Sequence, residues 1–213
     1  MGGLPFADRG DAGRRLGEHL ARVLRAGPAP LVLGLPRGGV VVAAGVADRL
    51  GVPLDAFVVR KLGAPGQPEL ALGAIAAGGV VVRNEAVIRG RRVTAAQLAA
   101  VVAAEEVELA RRERAYRGDR PPPEPAGRLV VVVDDGYATG ATARAAVAAI
   151  RGRDPARLVL AVPVAPRDAV VPGADELVAL ARPAPFGAVG RHYRDFAATT
   201  DDEVRALLGT RSA

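Results

Sequence analysis

Cysteine is absent from the 213-residue chain, so neither a disulfide framework nor a thiolate metal site is available. Tryptophan is absent too, and aromatics make up only 3% of the residues, too few for a surface that stacks nucleic-acid bases. Lysine occurs once, at Lys61, although Lys and Arg together number 29, so the basic character is that of arginine. The two histidines, His19 and His192, stand far apart and make a poor metal constellation; any metal should be a hard cation held by oxygen. No uninterrupted apolar run approaches the roughly 18 residues needed to span a bilayer. Met1 to Asp11 lacks the basic stretch and apolar core of a secretory leader, and the expectation is a cytoplasmic protein with no membrane partner.

Hydrophobic residues make up 50% of the chain and charged ones 24%, with a mean hydropathy of +0.18, the balance of an ordinary globular protein. The length suits one α/β domain over residues 1–213. A formal net charge of +6 and a pI near 10.8 raise the question of nucleic acid. The cations are scattered among carboxylates, however, and an anionic small substrate explains their sign as well.

Asp8 to Ala26 carries Leu16, Leu20, Val23 and Leu24 at helical spacing and stops at Gly27-Pro28. Leu31 to Leu35 reads as a strand, Pro36-Arg37-Gly38-Gly39 as a turn, Val40 to Leu50 as a helix and Leu54 to Val59 as a second strand, together a βαβ unit. Gly63, Pro65, Gly66 and Pro68 punctuate Lys61 to Glu69, which reads as a mobile loop. A hairpin is expected over Ala71 to Arg83 with its turn at Gly78-Gly79, then a long helix over Thr94 to Arg117 and a stiff connector at Pro121 to Pro125. The α/β alternation then resumes. It runs through a strand at Leu129 to Val133, a helix at Thr142 to Gly152, a strand at Leu158 to Pro163, a short helix near Asp168 and a strand at Glu176 to Ala181. The pattern predicts an α/β fold, a parallel twisted sheet covered by helices on both faces.

The chemistry concentrates in Val130 to Thr142, where an apolar strand runs into Asp134-Asp135, then the turn Gly136-Tyr137-Ala138-Thr139-Gly140, then a helix opening at Ala141 and Thr142. Ligands of open α/β sheets bind beyond the carboxyl ends of strands, which is where these polar groups fall. Successive N–H groups at a helix N-terminus favour a phosphate, and the hydroxyls of Thr139 and Thr142 add donors. Two adjacent carboxylates suit the vicinal diol of a ribose, each accepting from one hydroxyl. Asp134-Asp135 as a simple cap between strand and turn is the plainer alternative. A Walker loop fails on spacing, since three residues separate Gly136 from Gly140 and Ala141 stands where its lysine would be. No G-x-G-x-x-G follows a strand.

This segment resembles the phosphoribosyl-pyrophosphate signature of type I phosphoribosyltransferases, and the order of elements from Leu31 to Ala181 agrees with that family. The resemblance implies a Rossmann-like parallel sheet flanked by helices with a small hood, drawn here from residues 1–30, 94–120 and 183–213. It implies that Asp134 and Asp135 hold the ribose hydroxyls of 5-phosphoribosyl-1-pyrophosphate (PRPP). Gly136, Tyr137, Ala138, Thr139, Gly140, Ala141 and Thr142 would hold the 5-phosphate. The turn Arg37-Gly38-Gly39 becomes the pyrophosphate loop, which in the family often contains a non-proline cis peptide. Arg60 and Lys61 would add cations for the leaving pyrophosphate, and Gly63 to Leu70 would be the flap that closes over the reaction centre and excludes water.

In that scheme Mg²⁺ neutralises the pyrophosphate. It meets Asp134 and Asp135 only through water or the ribose hydroxyls, and Lys61 joins the acidic pair as a catalytic group. The acceptor would be a nitrogenous compound, a nucleobase by analogy, and homodimers are common in the family.

The 6-oxopurine enzymes carry an acid where this chain has Ala138, which speaks against hypoxanthine or guanine as acceptor. The tail Phe186 to Phe196 reads two ways. It is either a lid in which Tyr193 or Phe186 stacks on a base and Asp195 or His192 carries a proton, or a packed closure whose aromatics are core. Beside the transferase reading stands a regulator that senses PRPP or a nucleotide, and behind both a hydrolase or phosphorylase acting on ribose phosphates.

Overall fold

The computed structural model describes residues 6–24 and 27–209. Its elements are α1 (Arg9–Val23), β1 (Leu31–Gly34), α2 (Gly38–Leu50), β2 (Leu54–Ala56), β3 (Val59–Ala64), β4 (Gln67–Ala76), β5 (Val80–Arg83), α3 (Glu85–Gly90), α4 (Ala95–Arg117), β6 (Leu129–Val133), α5 (Ala141–Arg151), β7 (Arg157–Val164), β8 (Glu176–Ala181) and α6 (Asp201–Gly209). A 3₁₀ turn spans Val189–His192. Capping decides several boundaries. Asp8 accepts from the Asp11 N–H to open α1, and Thr94 with Gln97 forms a reciprocal capping box at α4. Of the helix expected over 8–26, Arg25 and Ala26 lie outside the described residues, as do residues 1–5 and 210–213 of the expected hood segments.

Two expectations are corrected. Lys61 to Glu69 is a β-hairpin and not an irregular loop: Ala64 pairs with Gln67, and Pro65-Gly66 is the two-residue turn between them. Proline presets the first turn residue, and Gly66 supplies the φ of +74° that the second requires. The short helix near Asp168 is absent, and that stretch is a turn. The hairpin expected at Gly78-Gly79 is present, both glycines at positive φ, and it joins β4 to β5 in a three-stranded antiparallel sheet ordered β3-β4-β5.

The main sheet is parallel, in the order β2-β1-β6-β7-β8. Its strands alternate between two cores. Val32, Val131, Val133, Val159 and Ala161 face α1 and α2, whereas Leu31, Leu33, Val130, Val132, Leu158 and Leu160 face α5. Burial on both faces explains why β6 reads as an unbroken apolar run. The strand order reverses direction between β1 and β6, the switch point at which open α/β sheets form their crevice.

Small residues set α1 close against α2. A Cβ at Gly13 would collide with the Val42 carbonyl, one at Gly17 would lie 2.9 Å from the Gly45 carbonyl, and one at Gly45 would lie 2.7 Å from the Arg14 nitrogen. This crossing fixes where the first residues of α1 point. Gly45→Val is therefore expected to lower stability by about 1–3 kcal/mol through overpacking, read as a lower urea midpoint with an unchanged slope. An unchanged midpoint would show that the two helices do not meet as described.

Candidate functional site

β1 and β6 are neighbours in register, with Gly34 beside Val133, so the loops that follow them leave the same sheet edge together. The Leu35 N–H donates to the Val133 carbonyl at 2.9 Å, after which the Pro36–Arg37 peptide is cis and α2 begins at Gly38. A Cβ on Gly39 would stand 2.7 Å from the Val133 oxygen and 2.9 Å from the Asp134 Cα, and one on Gly38 would overlap the Asp135 carboxylate. Only glycines permit the two loops to touch here.

Each aspartate of the pair is held by one oxygen. Asp134 Oδ1 accepts from the Asp135 N–H at 2.9 Å, and Asp135 Oδ2 accepts from Arg9 Nε at 2.8 Å. Asp134 Oδ2 and Asp135 Oδ1 take no partner among the described residues. Each aspartate thus keeps one carboxylate oxygen without a protein partner, and an oxygen of that kind can accept from a hydroxyl. Burial, and next the charge of Asp135, push the Asp134 carboxyl well above its usual range; the Asp135 N–H and Arg9 oppose the shift.

The cup beyond the pair is a helix N-terminus. The N–H groups of Ala138 to Thr142 donate to no acceptor among the described residues, Gly140 caps α5 at φ +68° without a side-chain bond, and Thr139 and Thr142 are exposed. Tyr137 is buried beneath the cup, packed against Gly140, with its hydroxyl donating to the Val170 carbonyl at 3.1 Å; it contributes backbone and support. Arg144 Nη1 donates to the Thr139 carbonyl at 2.5 Å and pins the loop from the helix side.

The cations divide. Arg37 is exposed at the start of α2. Arg60 and Lys61 are consecutive on β3, so their side chains leave opposite faces. Arg60 pairs with Glu105 of α4 at 2.7 Å, while Lys61 pairs with exposed Glu69 at 3.2 Å. Lys61 also lines a cavity of about 330 Å³ shared with Ala141, Thr142 and Arg144. The structure brings Lys61 beside the cup's helix and commits Arg60 elsewhere.

In the tail Tyr193 is buried and Phe186 half-buried, whereas Phe196 is exposed. The Phe6 ring lies 5.4 Å from that of Tyr193, whose ring is 4.9 Å from that of Phe196, and His192 Nε2 is hydrogen-bonded to the Phe186 carbonyl at 2.9 Å. The Tyr193 hydroxyl donates to the Asp135 carbonyl at 2.6 Å, and burial drives its pKa well above the usual tyrosine range. Arg9 is a neighbour of the acidic pair that sequence reasoning missed, and Tyr193, read there as a base-stacking or core ring, instead meets the pair through its hydroxyl. The Arg9 contact spans 126 positions and leaves no local signal.

Comparison with known proteins bears on the family and the fold. The family model described as Phosphoribosyl transferase domain matches residues 11–176. Two curated Mycobacterium tuberculosis proteins, of strains CDC 1551 and H37Rv, carry the provisional name phosphoribosyl transferase. Each is 52% identical over 206 residues, which is 95% of this chain and 46% of the relative. The chain thus spans about half the length of these relatives. The crystal structure of TT1426 from Thermus thermophilus superposes with a TM-score of 0.86 at 45% identity, covering 99% of this chain and 100% of that one.

The raised pKa of Asp134 gives a signed expectation. Folding raises this pKa, so the folded chain holds a proton that the unfolded chain releases. The stability linked to that proton is present at low pH and is lost as pH rises from the usual carboxylate range through the folded pKa. Asp134→Asn should therefore gain stability relative to the parent as pH rises above the usual carboxylate range, read by thermal unfolding. A difference that stays flat with pH would contradict the assignment.

Proposed function

The chain belongs to the phosphoribosyl transferase domain family, and from that membership we propose that it transfers the 5-phosphoribosyl group of PRPP to a nitrogenous acceptor of nucleobase type. The observation that carries this reading is the juxtaposition of two open carboxylate oxygens, on Asp134 and Asp135, with a ring of unengaged N–H groups from Ala138 to Thr142. The carboxylates accept from the ribose hydroxyls, and the N–H groups with the hydroxyls of Thr139 and Thr142 donate to the 5-phosphate. Gly38 and Gly39 admit the pyrophosphate close to the backbone, where Arg37 offers planar donors. Lys61 meets the leaving group from the hairpin, and the tip at Pro65-Gly66 closes over it.

The acceptor's nitrogen lone pair forms a bond to C1 of the ribose as the bond from C1 to the pyrophosphate oxygen breaks. Pyrophosphate departs with that electron pair, and the acceptor's proton goes to it or to water. The protein's part is to orient the ribose and exclude water from a C1 centre with oxocarbenium character.

Mg²⁺ fits the residues present in a particular way. Among the described residues no cluster of three or more His, Asp or Glu side chains could form a cage. That suits an ion carried on the donor's pyrophosphate and waters, with Asp134 and Asp135 meeting it through the ribose hydroxyls. Bound there, it would neutralise the leaving group.

Calorimetry with PRPP and Mg²⁺ tests the reading. The Asp134→Asn, Asp135→Asn double variant should lose donor affinity by about 100-fold or more, the consequence of two charged acceptors removed. Pyrophosphate release across a panel of nucleobases then identifies the acceptor. Unchanged affinity in the double variant would refute the site, and tight binding with no release for any acceptor would favour a PRPP sensor.

A further inference from the structure

Arg9, Tyr193, Phe196 and Ala197 all lie outside the residues 11–176 that the family model covers, yet Arg9 and Tyr193 both bond Asp135 inside it, and Phe196 and Ala197 hold Arg9. Arg9 Nε donates to Asp135 Oδ2 at 2.8 Å and Nη1 donates to the Ala197 carbonyl at 2.7 Å, while the guanidinium lies 3.8 Å from the centre of the Phe196 ring. The side chains of Arg9 and Asp135 are 12% and 19% exposed, so solvent screens the pair little. Arg9 sits at the start of α1, aimed by the glycine crossing with α2. Both chain ends therefore reach the second aspartate of the acidic pair, one through a charge and one through the Tyr193 hydroxyl on its carbonyl.

We infer that Arg9 is a positioning residue for the donor's ribose. It holds Asp135 by one oxygen and leaves the other for a ribose hydroxyl, and the hold depends on α1 and the segment Tyr193 to Ala197 both being docked. This rests on the donor reading above. A carboxylate gripped at one oxygen has a single orientation left to offer a hydroxyl, and that preorganisation is worth affinity. Arg9 also opposes protonation of Asp134, whose open oxygen must accept from the second hydroxyl. Among the described residues, the titratable and charged groups facing the pair are Arg9 from α1 and Tyr193 from the C-terminal segment, besides the two carboxylates themselves.

The test is calorimetric titration of PRPP with Mg²⁺ into the parent chain, Arg9→Gln and Arg9→Lys from about pH 6 to about pH 9, with thermal unfolding of the same proteins. Arg9→Gln should bind at least about tenfold more weakly at neutral pH, the effect of losing one charge-assisted hydrogen bond. The deficit should widen as pH falls, because Asp134 then keeps its proton to higher pH. Arg9→Lys should recover part of the affinity, since it retains the charge but cannot serve Asp135 and Ala197 together. A merely structural contact would lower the unfolding midpoint and leave the pH profile of donor affinity parallel to the parent's. Equal affinities with parallel profiles would overturn the inference. Should Arg9→Gln fail to fold, the profile of Arg9→Lys decides in the same way. A folded parent that binds no PRPP would refute the donor reading, and Arg9's role with it; a parent that binds beside an Arg9→Gln variant that binds equally refutes the role of Arg9 alone.

Discussion

The parallel pairing of β1 with β6 is the constraint on which the site depends. Those two strands are distant in sequence and adjacent in the sheet, and their register puts Gly34 beside Val133. From that single juxtaposition the Pro36 to Gly39 turn and the acidic pair emerge at one edge, close enough that Gly38 and Gly39 cannot carry a Cβ. The reversal of strand order at this point opens a crevice between the loops. The acidic pair and the turn from Pro36 to Gly39 both hang on that edge. The cup follows β6 directly, and the hairpin bearing Lys61 packs across the same α5 whose N-terminus forms the cup.

The site is organised at the expense of stability. Two carboxylates side by side, one driven toward its protonated form by burial and by its neighbour, are an arrangement that folding alone would avoid. The surroundings offset part of this. Arg9 supplies one opposing charge, the Asp135 N–H supplies a hydrogen bond, and the two chain ends close over both. The unengaged N–H groups of the cup are a second such concession, a helix start without a side-chain cap. Groups without a protein partner thus concentrate at this edge, and on the reading proposed above they are the ones a ligand would engage.

Much of the fold was legible in the sequence because its signals are local. Val130 to Val133 has no polar residue to face solvent, and the switch from an apolar run to Asp134-Asp135 and then to Thr139-Gly140 fixes strand, turn and helix in thirteen residues. The hairpin at Lys61 to Glu69 was misread because proline and glycine mark both loops and tight turns. Here Pro65-Gly66 is the turn, and Gly63 lies where a Cβ would meet the Pro68 carbonyl at 2.7 Å. α6 had a readable start that went unread, since Thr200 and Glu203 form a reciprocal cap. The opposed directions of Arg60 and Lys61 follow from strand alternation once the segment is known to be a strand. The grip of Arg9 on Asp135 had no sequence signal at all, because it depends on a helix crossing set by Gly13, Gly17 and Gly45.

The most direct test of the central claim is a crystal structure of the chain with ribose 5-phosphate. The phosphate is expected within hydrogen-bonding distance of the N–H groups between Ala138 and Thr142, with the two ring hydroxyls on Asp134 and Asp135. Phosphate density away from those N–H groups, with the acidic pair untouched, would contradict the account.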